Sequence, residues 1–326
     1  MLIQLSHGGG GGATAQLVQS VFAGRFKNPY LQRMEDSAVI DLNGPLAYTT
    51  DSFVITPLFF PGGDIGRLAI AGTVNDLLMM GARPRFLTAG FILEEGLAIA
   101  DLERIAESMA QAAAEAGVEL VAADTKVVEG KGGLYINTSG LGPIDSLHPV
   151  RANLAQPGDA ILVSGPLGDH QACIMSQRMG IQNGIQSDVA PLNGPVRALL
   201  DQGLAVHCLR DATRGGLTTV LNELAATSGC AAELEEAAIP VRPETRALCE
   251  VLGLDPLTMA NEGKFVAIVA AEAADQALDI LKQCPQSAGA CRIGTMTAGS
   301  GVILNTRIGG RRRLNIPWYE GLPRIC

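Results

Sequence analysis

The strongest constraint on this chain is a break in its middle. HPVRANLAQPGD, from His148 to Asp159, carries two prolines and little periodicity, while regular apolar patterning runs on both sides of it. Before the break, RFLTAGFIL reads as a strand and Asp101 to Gly117 as a helix, with Leu102, Ile105, Met109 and Ala116 on one face and Gly117 positioned to end it. VELVAAD follows as a strand ending on Asp124. After the break the alternation repeats. DAILVSG, KFVAIVA and GVILN read as strands, and His170 to Met179, Leu217 to Ser228 and Glu272 to Gln283 as helices. At 326 residues and 47% hydrophobic, the chain can bury two cores. Dense Gly and Pro punctuation argues against one doubly wound sheet, so the expected class is α+β in two lobes.

At the N-terminus, SAVIDL and LAYTTDSFVI read as two strands joined by a turn at Asn43-Gly44-Pro45. The glycine run from Gly8 to Gly12 loses much entropy on ordering, so residues 1–35 are expected to be a flexible lead-in. Residues 311–326 are expected to be a mobile tail, anchored through Trp318 and Tyr319.

Several function classes fall away. A net charge of -9 opposes general polyanion binding, and the one tight basic run, Arg311 to Arg313, is short, so no nucleic-acid partner is expected. Seven scattered cysteines, with no C-x-x-C pair, do not form a disulfide framework and point to the reducing cytoplasm. The opening lacks a secretory pattern, and no apolar run reaches the roughly 18 residues of a membrane span. His7, His148, His170 and His207 show no zinc-ligand spacing. Neither a P-loop nor a dinucleotide-binding glycine motif is present.

What remains is a set of acids beside small residues at strand ends: Asp36, Asp51, the Asn75-Asp76 pair, Asp124 and Asp211. Each alone is an ordinary turn or cap. Gathered together, such carboxylates suit magnesium and nucleotide phosphates. Arg214-Gly215-Gly216 opens a helix whose first N–H groups can meet an anion. Lys126 and Glu262 are candidate charged contacts, and Cys326 places a thiol at the last position, where a packing role is least expected.

TTDSFVITP, AGTVNDLLMMGARP, ADTKVV, RDATRGGL, ANEGK and the terminal PRIC together resemble the aminoimidazole ribonucleotide synthetase, selenophosphate synthetase and thiamine-monophosphate kinase superfamily. Within it they are most similar to the carbamoyl dehydratases of hydrogenase maturation. The resemblance implies a two-lobed fold with residues 36–148 as an ATP-binding and dimerisation domain, whose sheets pair in a homodimer, and 149–310 as a C-terminal α+β domain. It implies Mg2+ and ATP held by Asp36, Asp51, Asp76 and Asp124, with Asn75, Asp211, Arg214, Gly215 and Gly216 nearby. It implies that Cys326 receives a carbamoyl group from a carbamoyltransferase partner and that ATP drives its dehydration to a thiocyanate. The cyanide then passes to an iron-carrying maturation scaffold. Glu262 would take a proton and Lys126 stabilise charge. A selenophosphate-synthetase-like enzyme or small-molecule kinase is the alternative, although the first cysteine, Cys173, lies far from the N-terminal glycine loop. A non-catalytic scaffold switched by nucleotide is the alternative of another class.

Overall fold

The computed structural model describes residues 1–9, 11–33, 37–316 and 325–326. The glycine-rich start, expected to be flexible, is folded instead. Gly12–Leu17 (α1) runs into a π-helical turn at Val18–Ala23, and Pro29–Gln32 (α2) is capped by Asn28, whose side chain accepts from the N–H groups of Tyr30 and Leu31. Apolar burial supplies the ordering that the glycines cannot: Ile3, Val21 and Phe22 are buried, and the Phe22 ring lies 4.6 Å from that of Phe91.

The first lobe follows, with Leu46–Phe53 (β1), the short ribbon Phe59–Phe60 (β2) and Gly63–Asp64 (β3), Ile65–Met79 (α3), Phe86–Glu94 (β4), Ile99–Ala116 (α4), Glu119–Val128 (β5) and Leu134–Pro143 (β6). Its sheet runs β1-β6-β4-β5, with β4 and β5 parallel across the α4 crossover and the other pairs antiparallel. Ser37 to Leu42, read as a strand, joins no sheet, and β5 continues past Asp124 to Val128. One face of the sheet packs on helices. The other leaves Leu46, Tyr48 and Ile92 exposed.

Helix α3 joins the lobes. Asp64 caps it by accepting from Gly66 and Arg67, at 2.7 and 3.0 Å. Thirteen of its 15 residues are buried, because it lies on the first sheet and also touches elements of the second lobe.

The second lobe comprises Ala160–Val163 (β7), Asp169–Met179 (α5), Asn193–Leu200 (α6), Val206–Asp211 (β8), Gly216–Ser228 (α7), Cys230–Glu235 (β9), Pro243–Leu252 (α8), Phe265–Val269 (β10), Ala274–Gln283 (α9), Cys291–Ala298 (β11), Gly301–Asn305 (β12) and Arg311–Leu314 (β13). The sheet order is β13-β12-β9-β11-β7-β10-β8, and only β9 and β12 run parallel. Every residue of β7 and β10 is buried, as unbroken apolar runs require. Arg311–Leu314, assigned from sequence to the tail, is the outer strand instead. Arg311 and Arg312 pair with Glu233 and Asp255 at 2.9 and 3.0 Å. Trp318 and Tyr319, the expected anchor, lie outside the described residues. Among those residues no helix is long and apolar enough to cross a membrane, and all seven cysteines are thiols.

Candidate active site

The two lobes meet over a narrow well of about 50 Å³ lined by Asp51, Phe53, Asp76, Asp211, Arg214 and Glu262, with Cys326 beside them. Each side chain arrives on a separate element. Asp51 comes from edge strand β1 and Asp76 from the last turns of α3. Asp211 ends β8, Arg214 stands in the turn before α7, and Glu262 lies in the loop entering β10. Gly72 on α3 keeps the well open. A Cβ there would sit 2.8 Å from the Phe53 ring, which is itself 1% exposed and has little room to retreat.

The well opens into a cleft of about 410 Å³ that shares Asp76, Asp211, Thr213 and Arg214 with it and adds Tyr48, Arg151 and Arg210. Gly216, at φ +58°, opens α7 where a Cβ would meet the Met259 carbonyl oxygen at 2.6 Å, so this turn needs glycine.

Negative charge is crowded in the well. Burial raises the pKa of Asp51, against the Ser52 N–H at 2.7 Å and the Arg214 charge. Burial also raises Asp76, helped by Asp51 and opposed by the Thr49 hydroxyl that donates to it at 2.9 Å. Asp211 is pushed to about 7 by burial and then by Asp76. Glu262, 4% exposed, is raised well above the ordinary carboxylate range by burial and by Asp211, Asp188 and Asp51, with Arg214 opposing. Among the described residues its Oε1 has no hydrogen-bond partner, so a buried carboxyl oxygen is left unpaired at the well.

Among the described residues no three acid, His or Cys groups converge as a ready-made metal cage. Magnesium normally binds one or two carboxylates and completes its shell with phosphates and water, and the mutual repulsion of Asp51, Asp76 and Asp211 is what a cation there would relieve. These acids therefore fit the metal only together with a phosphate ligand.

The remaining expected site residues fall elsewhere. Asn75 does not face the acids: its side chain donates to the Ala190 carbonyl and accepts from the Leu192 N–H, which ties α3 to the second lobe. Asp124 and Lys126 pair with each other at 2.8 Å on β5, and that ion pair holds Asp124 below its ordinary pKa. Strand β5 is at the opposite edge of the sheet from β1, about 14 Å away by strand spacing. There the two residues line a hollow of about 570 Å³ with Phe22, Tyr30 and Ser37. Asp36 lies outside the described residues.

Two residues that hold segments of the site escaped the sequence reading. Asp188 accepts the Glu262 N–H at 3.0 Å and faces Lys264 at 3.6 Å, fixing the loop that carries the glutamate. His170 meets the carbonyl oxygen of Ile325 at 2.6 Å. Neither stands in a motif, because what identifies each is a partner distant in sequence. Ile325 is 3% exposed, and a terminal carboxylate oxygen of Cys326 accepts from the Val54 N–H at 3.0 Å, so the chain's end is seated between the lobes.

Comparison with known proteins agrees with this architecture. Residues 34–144 match the N-terminal domain, and 156–306 the C-terminal domain, of the AIR synthase related proteins. The carbamoyl dehydratase HypE of Azotobacter vinelandii is 50% identical, over 99% of this chain and 97% of its own. The crystal structure of a hydrogenase maturation protein HypE in complex with ATP superposes with a TM-score of 0.95 at 47% identity, covering 99% of both chains. A HypE solved in a HypE–HypF complex gives 0.82 at 47% identity, over 92% of this chain and 99% of that one. With two lobes, an acidic well at their junction and a terminal cysteine seated in it, the chain belongs to the HypE family of hydrogenase-maturation carbamoyl dehydratases.

Proposed function

We propose that this protein dehydrates a carbamoyl group carried as a thiocarbamate on Cys326 to a thiocyanate, at the expense of ATP, and so supplies cyanide for the iron of nickel–iron hydrogenase. The observation that carries the reading is the seating of Cys326 in the same narrow well as Glu262, Asp51, Asp76 and Asp211. A thiol with only a packing role has no need of these four acids and Arg214 as neighbours.

Dehydrating R–S–C(=O)–NH2 to R–S–C≡N removes one oxygen and two N–H protons. An amide oxygen leaves poorly, and ATP supplies the phosphoryl group that lets it depart as phosphate. Mg2+, held with the phosphates by Asp51 and Asp76, would supply charge neutralisation. This chain's own residues do the rest. Cys326 presents the group, the terminal peptide being fixed by Val54 and by the burial of Ile325. Glu262 accepts a nitrogen proton at Oε1, and the burial that raises its pKa makes its carboxylate a stronger base. Arg214 offsets charge beside Asp51 and Glu262. The narrow well limits water near the group, which favours elimination over hydrolysis.

Asp124 and Lys126 enter the reading through a homodimer. The exposed sheet face around Tyr48 and Ile92 packs on a second copy, so that β5 of one copy serves the well of the other. A carbamoyltransferase loads the thiol, consistent with the HypE–HypF complex of a relative. An iron-carrying scaffold then receives the cyanide, and the reducing cytoplasm keeps the carrier a thiol.

Mass spectrometry of the C-terminal peptide, after incubation with a carbamoyl donor system with and without Mg-ATP, tests the proposal. A carbamoyl adduct on Cys326 that becomes one water lighter only with ATP is the expected result. An unmodified Cys326 beside an active donor sinks it in favour of a free small-molecule substrate. A stable adduct that ATP never changes leaves a nucleotide-switched scaffold.

A further inference from the structure

His170 occupies the first turn of α5, is completely buried, and has both ring nitrogens committed. Nε2 lies 2.6 Å from the Ile325 carbonyl oxygen, and Nδ1 lies 2.7 Å from Ser187 Oγ. A carbonyl only accepts, so Nε2 carries the proton and donates. Nδ1 then accepts from the Ser187 hydroxyl, and a single neutral tautomer satisfies both bonds. Burial disfavours the imidazolium and lowers the His170 pKa, in agreement with that neutral form.

The surroundings hold the ring in place. Ser187 is anchored by its N–H to the Pro61 carbonyl at 2.8 Å, and its Oγ also accepts from Val189 N–H at 3.2 Å. Phe60 meets the imidazole edge-on at 5.6 Å. The first turn of α5 is pinned through Asp169, which accepts from the Thr245 hydroxyl at 2.6 Å and pairs with Arg242 at 3.0 Å. From the other lobe, Val54 grips the Cys326 carboxylate. The terminal peptide is thus bonded from both lobes. When it leaves, the Nε2–H loses its acceptor inside a site built to exclude water, so release is opposed by more than the loss of an exposed hydrogen bond would be.

We propose that His170 is a positioning residue that latches Ile325 and Cys326 into the well, setting the balance between a seated carrier and one released for loading. The proposal rests on the reading of Cys326 as the carrier, and two separate measurements keep the two ideas distinguishable. The first is the rate at which iodoacetamide labels Cys326 in the full chain, followed on the C-terminal peptide. The second is single-turnover dehydration of the carbamoylated protein. Both are made on His170→Leu, His170→Gln and Ser187→Ala.

Loss of the buried bond in His170→Leu is expected to raise Cys326 labelling about tenfold. Dehydration slows while loading by the donor does not, a divergence that general destabilisation does not produce. His170→Gln keeps an N–H donor at nearly the same reach and restores labelling to near the wild-type rate. Ser187→Ala no longer fixes the tautomer and falls between. Labelling of Cys173, buried on the same helix, separates unlatching from unfolding. If His170→Leu also labels Cys173, the Gln and Ala variants decide. The latch is overturned if no folded variant labels Cys326 faster than wild type, or if His170→Gln releases the tail as fully as His170→Leu. If labelling changes as expected but Cys326 is never carbamoylated, the latch stands and the carrier reading fails.

Discussion

Replacing Asp211 with asparagine tests whether a buried carboxylate beside other acids destabilises the chain before any ligand arrives. Asp211 is 9% exposed, and burial followed by the charge of Asp76 moves its pKa from 3.8 to about 7. An acid whose folded pKa lies above its unfolded value keeps its proton longer in the folded chain. Stability therefore falls as pH rises from about 4 to about 7, and the full loss persists above that window. At about 1.4 kcal/mol per unit, the shift corresponds to on the order of 4 kcal/mol at pH 8, part of it shared with Asp76. Asparagine keeps the shape and removes the charge. In urea titrations without nucleotide or divalent cation, Asp211→Asn is expected to exceed wild type by roughly 2–4 kcal/mol at pH 8, and by less than half as much at about pH 5. A variant no more stable than wild type at pH 8, or one whose gain is equal at both pH values, refutes the argument that burial, and after it the charge of Asp76, makes the ionised Asp211 destabilising.

Glu262→Gln removes the proton acceptor and is expected to lower single-turnover dehydration by about 10²–10⁴, with loading of Cys326 retained; an unchanged rate in quenched mass spectrometry removes the assignment. In the wild type that rate should climb with pH through the raised pKa of Glu262, because only the carboxylate accepts a proton. Ile325→Ala takes three carbons from a buried side chain, weakening seating by about 2 kcal/mol, and should speed alkylation of Cys326 some thirtyfold; no change would mean that the side chain does not hold the tail. Mixing Lys126→Ala with Glu262→Gln protein should recover dehydration in hybrid dimers if β5 serves the neighbouring well, and recovery absent despite subunit exchange rules out that arrangement.

Elements that carry their own signal were legible in the sequence. Ala160–Val163 and Phe265–Val269 are unbroken apolar runs because both faces are covered, and Ile99–Ala116 has an apolar stripe and stops at Gly117 in the left-handed conformation. Ser37 to Leu42 is also largely apolar but has no strand among the described residues to pair with, which only the tertiary fold reveals. The N-terminal segment was misread because its glycines were visible and the partners of Val21 and Phe22, near Phe91, were not. Within the site, Asp51, Asp76, Asp211 and Glu262 could be named from their motifs, and they do line one well. Asp124 and Lys126 could be named but not located, since strand order decides which edge they occupy. His170 and Asp188 were invisible, their partners lying 155 and 74 residues away.

The grip on Ile325 and Cys326 includes two backbone oxygens and one apolar side chain, features that any peptide ending in Ile-Cys possesses. Catalyst and carrier are therefore expected to be separable, the terminal peptide acting as a ligand tethered to its receptor. A free peptide of that ending is expected to compete with it for the groove, and a chain truncated after Leu314 is expected to act on a carbamoylated peptide in trans. Tethering contributes local concentration, which lets the groove bind weakly enough to let go.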